Sequence, residues 1–160
     1  MTNVKIIPYE SRYAQDFERL NIAWLEKYFY VEAYDAKVLA NADEYIIAAK
    51  GEILLAELSG VIVGVVALMY HGDDLELTKM AVDENYQGQG IGKLLMQAAL
   101  KRAREMNPAK IFLLTSSTLG PANSLYEKSG FVNVPLHSDD NDVYERCDRR
   151  WELPFEALSA

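Results

Sequence analysis

The sequence predicts a single mixed α/β domain in which an antiparallel meander of strands switches to a parallel pair. Three apolar runs joined by short glycine-bearing turns predict the meander, which covers residues 53–82. A long amphipathic helix then precedes the compact apolar run Lys110–Thr115, and a strand–helix–strand crossover normally produces parallel strands. At 160 residues, half of them hydrophobic, one domain over residues 1–160 can bury a sizeable core.

The N-terminal part of the chain is predicted to form one strand and two helices. Val4–Pro8 is an apolar run of strand length, and Ser11 is a candidate N-cap for the first helix. The apolar positions of that helix recur at helical spacing and are Phe17, Leu20, Trp24 and Tyr28. Asp35 is a candidate cap for a second helix over residues 36–42.

The meander is predicted to consist of strands 53–58, 61–70 and 75–82. The second strand is too continuously apolar for one of its faces to be exposed to solvent. We therefore expect it to be central in the sheet and covered on both sides. In the third strand, alternation predicts Glu76, Thr78 and Met80 on one face. The same alternation places Leu77 and Lys79 on the other face.

The last part of the chain gives a weaker pattern. Residues 132–135 are predicted to form a short strand, and residues 143–153 a last strand near the sheet edge. His71 and His137 are isolated, without a partner at metal-ligand spacing, and are predicted to lie in surface turns. Cys147 stands alone, so a packing role is predicted for it and no disulfide or metal site is expected.

The charge balance bears on possible partners. A net charge of −8 argues against nucleic acid as a partner, because phosphate binding needs a basic surface. The same charge weakly favours a cationic small molecule or peptide. The N-terminus lacks the apolar stretch of a signal peptide, no apolar run has transmembrane length, and a single cysteine fits a reducing compartment. A cytoplasmic location, with no membrane partner, is therefore expected.

A glycine-rich turn over residues 87–93, called here the glycine turn, separates the third strand of the meander from the long helix. Its residues are Gln87, Gly88, Gln89, Gly90, Ile91, Gly92 and Lys93. Glycines allow close approach of the backbone to a ligand, and the N–H groups at a helix start favour an anion. The spacing fits neither the nucleotide P-loop nor the dinucleotide-binding fingerprint.

A second motif, Asn123-Ser-Leu-Tyr126-Glu-Lys-Ser-Gly130-Phe131, lies on a predicted short helix. Asn123 and Tyr126 are three residues apart and therefore share one helix face. Pro121 suits the first turn of this helix, and Gly130 suits the left-handed residue that ends it.

Both motifs resemble those of the GNAT superfamily of N-acetyltransferases. Gln87-x-x-Gly90-x-Gly92, following Met80-Ala81-Val82, resembles the family's acetyl-CoA pyrophosphate loop, and the Asn123–Phe131 motif resembles its later motif. The resemblance implies acetyl-CoA as cosubstrate, no metal, and a GNAT-like fold whose parallel strands splay apart at the acetyl-CoA site. It implies cofactor contacts from Met80, Ala81, Val82, Gln87, Gly88, Gln89, Gly90, Ile91, Gly92, Lys93 and Asn123. It also implies that Tyr126 protonates the leaving thiolate.

Two acidic residues are candidates for handling the acceptor amine. Glu76, on the strand that leads into the glycine turn, is a candidate general base, since some family members supply a glutamate from this region. A salt bridge or a solvated edge would explain Glu76 equally well. By resemblance, Glu32 lies in a loop that commonly shapes the acceptor pocket and is a candidate substrate contact. Glu32 could alternatively be a solvated surface residue.

The function predicted is direct transfer of an acetyl group from acetyl-CoA to a primary amine of a small molecule or peptide. An acidic pocket that includes Glu32 and Glu76 would favour a cationic amine. The alternatives left open are an acyl-CoA-binding regulatory module without significant turnover, and a partner-binding domain with a fortuitous glycine turn. The family often dimerises, so a homodimer is a further possibility.

Overall fold

The computed structural model describes residues 3–138, 140 and 144–154 as a seven-stranded sheet with helices on both faces. The strands are β1 (Val4–Pro8), β2 (Glu52–Leu58), β3 (Val61–His71), β4 (Asp74–Val82), β5 (Lys110–Thr115), β6 (Val132–Val134) and β7 (Arg149–Leu153). The helices are α1 (Ala14–Tyr28), α2 (Ala33–Ala40), α3 (Ile91–Met106) and α4 (Gly120–Lys128). The predicted strands at residues 4–8, 53–58, 61–70, 75–82, 110–115 and 132–135 are confirmed to within about two residues.

The sheet has the predicted mixed topology. Its strand order is β1-β2-β3-β4-β5-β7-β6, and the described neighbours are antiparallel except for the β4–β5 pair. The helix α3 provides the crossover between β4 and β5, as expected from its position between the two strands. The fold-class prediction is therefore confirmed.

Two apolar cores lie on opposite faces of the sheet. On one face, α3 contributes Leu95, Met96 and Ala99, and Leu125 of α4 packs against the edge of this core. On the other face, α1 and α2 contribute Phe17, Leu20, Val38 and Leu39. Strand β3 is buried from Ile62 to Met69 and supplies residues to both cores, as the continuous apolar run predicts.

Strand β4 contains a bulge that reverses the predicted facing of its side chains. Thr78 pairs with Ala67 and Ala81 pairs with Val65, so two residues of β4 lie opposite one residue of β3. Within the bulge, Lys79 adopts a left-handed backbone with φ of +56°, which is uncommon for a residue with a side chain. Strict alternation therefore predicts the wrong face of the sheet for the residues after Thr78. Met80 packs against the α3 core, and the Lys79 side chain lies on the α1–α2 side.

The parallel pairing of β4 with β5 is short. Its register ends at Glu76 opposite Phe112, after which β5 continues to pair only with β7. Residues 77–82 therefore have no strand partner on the β5 side within the described part of the chain. This splay, which the family resemblance implied, opens the sheet between the two strands.

Three local predictions need correction. Ser11 begins a short 3₁₀ turn, and α1 starts at Ala14 without a side-chain cap. Glu32, rather than Asp35, caps α2; Asp35 lies three residues later and completes a reciprocal capping box with Glu32. The predicted last strand over residues 143–153 begins only at Arg149, as β7, and it lies next to the edge strand β6, as expected of a strand near the sheet edge. Residue 143 lies outside the described residues.

Among the residues that the structure describes, no helix is long and apolar enough to cross a membrane. In the same residues there is no group of three or more His, Cys, Asp or Glu side chains that could hold a metal ion.

Candidate active site

The glycine turn presents an uncapped helix start. Gly88 and Gly90 have φ values of +83° and +79°, a backbone region that glycine reaches without steric penalty. Gly90 is the N-cap of α3, and no side chain caps the helix at this end. The N–H groups of Ile91, Gly92 and Lys93 belong to the first turn, where N–H groups lack an intrahelical partner. The first turn contains no acidic residue, so its positive potential is available to an anion.

A groove of about 300 Å³ runs from the glycine turn along the open edge of β4 to α4. Many of the residues predicted for the cofactor site line it: Met80, Ala81, Val82, Gln87, Gly88, Gly90, Ile91 and Gly92. Tyr126, the predicted general acid, lines it as well. Gln89 belongs to the same turn but does not line the groove. Lys93 lines a separate depression between α3 and α4. Most of the residues predicted to contact the cofactor therefore lie around one groove.

A second, smaller space lies on the other side of Tyr126 and is called here the inner cavity. It has a volume of about 90 Å³ and extends between α1, β4 and β5 to residues 144–147. Trp24, Met80 and Tyr126 line both the groove and the inner cavity. These three residues therefore mark the point where the two spaces meet.

Tyr126 is held at this junction by aromatic and polar contacts. Its ring centroid lies 6.4 Å from that of Phe131 and 6.2 Å from that of Trp151. Burial raises the pKa of Tyr126, and a hydrogen bond with the Thr115 side chain opposes that increase without reversing it. Tyr126 therefore keeps its proton at neutral pH and can act as a proton donor.

Asn123 makes hydrogen bonds within the protein with both ends of its amide. Its Nδ2 donates to the carbonyl oxygens of Ser116, at 3.0 Å, and Leu119, at 2.7 Å. Its Oδ1 accepts a hydrogen bond of 2.9 Å from Nε1 of Trp151. Both amide protons are thus used within the loop between β5 and α4, and the amide oxygen connects α4 to β7. The contact with acetyl-CoA implied by the resemblance remains a prediction.

Glu76 forms a buried hydrogen bond with a histidine. Its Oε1 lies 2.7 Å from Nε2 of His71, and the Glu76 side chain is 5% exposed. The hydrogen bond with Glu76 raises the pKa of His71, although burial opposes the increase. His71 is thus a partner of Glu76, rather than the isolated turn residue that the sequence suggested. The salt-bridge interpretation of Glu76 has a structural basis, and its role as general base remains a prediction.

Four charged side chains, called here the charged cluster, connect α2, β4 and the segment before β7. They are Glu32, Asp35, Lys79 and Arg146. Lys79 Nζ lies 2.6 Å from Asp35 Oδ1. The Arg146 guanidinium contacts both Asp35 oxygens, at 2.7 and 3.0 Å, and Glu32 Oε2 at 2.9 Å. The sequence did not predict this cluster; Asp35 and Arg146 are 111 positions apart.

Tyr144 lies against both cations of the charged cluster. The Nζ atom of Lys79 and the Cζ atom of Arg146 each lie 4.5 Å from the centroid of the Tyr144 ring. Lys79 also donates a hydrogen bond of 2.8 Å to the Tyr144 hydroxyl. Burial raises the pKa of Tyr144 far above its usual value, so the hydroxyl stays protonated.

The inner cavity is lined by the cations of this cluster and not by its carboxylates. Lys79, Tyr144 and Arg146 contribute to its wall. Glu32 and Glu76 do not, so the two carboxylates expected to form an acidic acceptor pocket lie outside this space. Glu76 instead lines a separate depression with His71, His137 and Arg150.

Relatives of known sequence share the central part of the chain. Residues 12–131 match the Acetyltransferase (GNAT) family. The N-acetylaspartate synthetase of Xenopus tropicalis is 34% identical over 99 residues, which are 60% of this chain and 36% of that protein. The chain thus spans about a third of the length of this relative.

Solved structures share the fold over nearly the whole chain. A GNAT-family acetyltransferase from Staphylococcus aureus Mu50 has a TM-score of 0.81 at 22% identity, covering 94% of this chain and 98% of that one. A GNAT-family acetyltransferase from Elizabethkingia anophelis, solved with acetyl-CoA bound, has a TM-score of 0.71 at 20% identity and covers 96% and 99%. With the family match over residues 12–131, the splayed sheet and the glycine turn, the chain belongs to the GNAT acetyltransferase family.

Proposed function

We propose that this protein transfers an acetyl group from acetyl-CoA directly to the primary amine of a small acceptor. The observation that carries the proposal is the meeting of two spaces at Trp24, Met80 and Tyr126. A long cosubstrate in the groove and an acceptor in the inner cavity would approach each other at this junction. The Elizabethkingia anophelis structure contains acetyl-CoA on the same fold, which supports the assignment of the groove.

In this proposal the glycine turn binds the pyrophosphate of acetyl-CoA. The N–H groups of Ile91, Gly92 and Lys93 point out of the helix start, and a Cβ on Gly88, Gly90 or Gly92 would meet no atom within 4 Å. The unpaired edge at residues 77–82 offers backbone groups to the extended part of the cosubstrate. Ile91 is itself buried in the α3 core, so its side chain fixes the turn and only its backbone is available to the ligand.

Acetyl-CoA, when bound, supplies the acetyl group as a thioester. Backbone N–H groups near Met80, Ala81 and Val82 polarise the thioester carbonyl, and a donor of this kind typically contributes ~2.7–4 kcal/mol to transition-state stabilisation. Tyr126 gives its hydroxyl proton to the departing thiolate as the carbon–sulfur bond breaks.

The amine must lose a proton as its nitrogen bonds to the acetyl carbon. We assign this proton to Glu76, reached through water because Glu76 does not line the inner cavity. His71, whose side chain is 40% exposed, lies 2.7 Å from Glu76 and can pass the proton to solvent. The Tyr126 hydroxyl regains its proton from solvent before the next turnover.

The experiment that tests the proposal measures binding and turnover separately. Isothermal titration calorimetry measures acetyl-CoA affinity, and a thiol reagent measures release of free CoA with a panel of primary amines. We expect micromolar-range binding, roughly that of a typical Michaelis constant, and amine-dependent CoA release. Binding without CoA release for any amine would favour an acyl-CoA-binding module, and failure to bind acetyl-CoA would overturn the proposal.

A further inference from the structure

We infer that the acceptor carries a carboxylate as well as an amine, and that Lys79, Tyr144 and Arg146 bind this carboxylate in the inner cavity. The inference rests on the proposed function and names the class of acceptor. The net charge of −8 favours a cationic acceptor, whereas the donors that line the inner cavity favour an acceptor with a negatively charged group.

The carboxylate of Asp35 cannot receive an acceptor amine. Its Oδ1 accepts hydrogen bonds from Lys79 Nζ at 2.6 Å and from Arg146 Nη2 at 3.0 Å. Its Oδ2 accepts from the backbone N–H of Glu32 at 3.0 Å and from Arg146 Nη1 at 2.7 Å. Each oxygen thus has two donors, which is about its lone-pair capacity, and the side chain is fully buried.

Both carboxylate oxygens of Glu32 also accept hydrogen bonds from within the protein. Its Oε1 accepts a hydrogen bond of 2.8 Å from the backbone N–H of Glu145. Its Oε2 accepts from Nη1 of Arg146 at 2.9 Å and, more weakly, from the backbone N–H of Arg146 at 3.4 Å. Glu32 therefore holds the segment before β7 against the start of α2, and it does not face the inner cavity.

Within residues 3–138, 140 and 144–154, in contrast, the donors of the charged cluster exceed the acceptors that they contact. The Lys79 ammonium has three N–H groups, and two have acceptors, Asp35 and Tyr144. Arg146 has five N–H groups, and three have acceptors in Glu32 and Asp35. Tyr144 accepts from Lys79, which leaves its own hydroxyl proton to donate. Unused donors on the cavity wall call for an acceptor, and a carboxylate supplies the strongest one.

Charge balance also fits such an acceptor. Glu32, Asp35, Lys79 and Arg146 carry two negative and two positive charges, so the cluster is neutral as a unit. A molecule that bears both an ammonium and a carboxylate enters without adding net charge to a buried region. A simple amine or a polyamine would add net positive charge to this neutral cluster, which costs free energy in a partly desolvated site.

The size and orientation of the inner cavity narrow the class further. Its volume of about 90 Å³ is several times the ~10–15 Å³ that one water molecule needs by the same measure, which leaves room for a small acceptor such as an amino acid. Lys79, Tyr144 and Arg146 line one part, and Met80 and Tyr126 line the part that joins the groove. A small amino acid could therefore contact the cations with its carboxylate while its amine points toward the thioester.

The first test compares matched acceptors. Each amino acid of a panel that includes α- and β-amino acids is assayed beside its carboxamide and its decarboxylated amine. We expect the best acid to exceed its own amide and amine in kcat/KM by at least about tenfold, the lower end of what hydrogen bonds to a charged group contribute. Calorimetric titration of the same molecules into the protein with CoA bound measures this preference without turnover.

The second test changes the proposed contacts. Tyr144→Phe keeps the ring and removes the hydroxyl, and Arg146→Lys keeps the charge and removes the planar fork. Both should raise KM for the acid, leave KM for its amide nearly unchanged, and leave acetyl-CoA affinity unchanged. Arg102→Lys is the matched control, because Arg102 makes a similar two-pronged contact with Glu52 at 2.6 and 2.7 Å, away from the inner cavity.

The outcomes separate this inference from the proposed function. Amides that match their acids in kcat/KM, or an acid preference that both variants retain in full, would overturn the carboxylate site and leave the acetyltransferase intact. Failure of every amine to release CoA would overturn the proposed function. In that case the calorimetric comparison still decides the inference, since equal affinity for acid and amide would refute it.

Discussion

Lys79 on the β4 bulge and Asp35 on α2 form an ion pair of 2.6 Å in which the side chains are 3% and 0% exposed. Burial alone would raise the pKa of Asp35, but hydrogen bonds and charge from Arg146 and Lys79 lower it overall. Burial lowers the pKa of Lys79, although the charge of Asp35 and its hydrogen bond with Lys79 oppose the decrease; the positive charge of Arg146 adds to it. Arg146 therefore favours the charged form of Asp35 and disfavours that of Lys79.

Asp35→Asn tests how strongly this ion pair stabilises the fold. The change keeps the side-chain size and leaves two cations without their shared carboxylate, so we expect a loss of about 3–5 kcal/mol in the free energy of unfolding. Urea unfolding at neutral pH measures it. Asp16→Asn is the control, because its pair with Arg19 is partly exposed and should contribute no more than about 1 kcal/mol.

The same pair predicts a pH dependence. Since the pKa of Asp35 is lowered by folding, its stabilisation is complete above the unfolded value of about 3.9 and is lost as pH falls below it. The stability difference between the wild type and Asp35→Asn should thus shrink only in the acid range. A difference that already declines between pH 7 and pH 5 would contradict this assignment.

Gly92→Glu tests the glycine turn without straining the backbone. Unlike Gly88 and Gly90, Gly92 has no positive φ, and a Cβ there meets no atom within 4 Å. A glutamate in the first turn of α3 should stabilise the helix by ~0.3–1 kcal/mol and repel pyrophosphate. We expect acetyl-CoA affinity to fall by about tenfold or more, ~1.4 kcal/mol, while the melting temperature does not fall below that of the wild type.

The control for this variant is Gln97→Glu, which adds the same charge farther along the exposed face of α3. Its acetyl-CoA affinity should remain close to that of the wild type. Equal losses in both variants would mean that overall charge, rather than the turn, determines binding.

Tyr126→Phe tests the general acid. The ring contacts with Phe131 and Trp151 survive the change, and only the hydroxyl is lost. Turnover should fall by ~10²–10⁴-fold with little effect on acetyl-CoA affinity. Tyr70→Phe, on β3 away from both spaces, is the control for loss of a tyrosine hydroxyl. Turnover close to the wild type would assign Tyr126 to packing alone.

Glu76→Gln tests the proposed base. The variant keeps the shape of the side chain and cannot take up a proton, so turnover should fall and its increase with pH should flatten. Steady-state rates from pH 6 to 9, at saturating acetyl-CoA, measure both effects. An unchanged pH profile with normal turnover would show that Glu76 is not the general base and that its role is limited to the contact with His71.

His71→Gln tests that contact through stability. The pKa of His71 is raised in the folded protein, chiefly by its hydrogen bond with Glu76. The stabilisation from this pair is therefore present below the unfolded pKa of about 6.5 and is lost as pH rises through the folded value. Melting temperatures of wild type and variant should differ most near pH 5 and converge at alkaline pH. A gap that widens with pH would contradict the pairing.

The strands and the glycine turn could be predicted because their signals are local. The apolar run of β3 and the short turn between β2 and β3 are visible within about ten residues of chain. Gly88 and Gly90 occupy left-handed positions where glycine is the expected residue. Tyr126 can be predicted as a site residue because it stands three residues after Asn123 in a recognisable motif.

The charged cluster could not be predicted because its geometry depends on two non-local features. The facing of Lys79 depends on the bulge in β4, and period-two alternation predicts the opposite side. The partner of Glu32 is Arg146, 114 positions away, so no local pattern connects them. The local pattern at Asp35 correctly predicts a helix start, but it does not predict the contacts of Asp35 with Lys79 and Arg146.

The place of Trp151 and Arg146 in the chain has a consequence for how the protein becomes active during synthesis. The contact between Trp151 and Asn123 fixes α4, and Arg146 joins Glu32 and Asp35 across more than 110 positions. Both arise from residues that leave the ribosome after the rest of the sheet. A nascent chain that ends before residue 144 would already contain the glycine turn and the meander. It would lack the segment that positions Tyr126, the proposed general acid, and that lines the proposed acceptor site. Catalytic competence is thus acquired late, and contacts of such long sequence separation favour slow completion of folding.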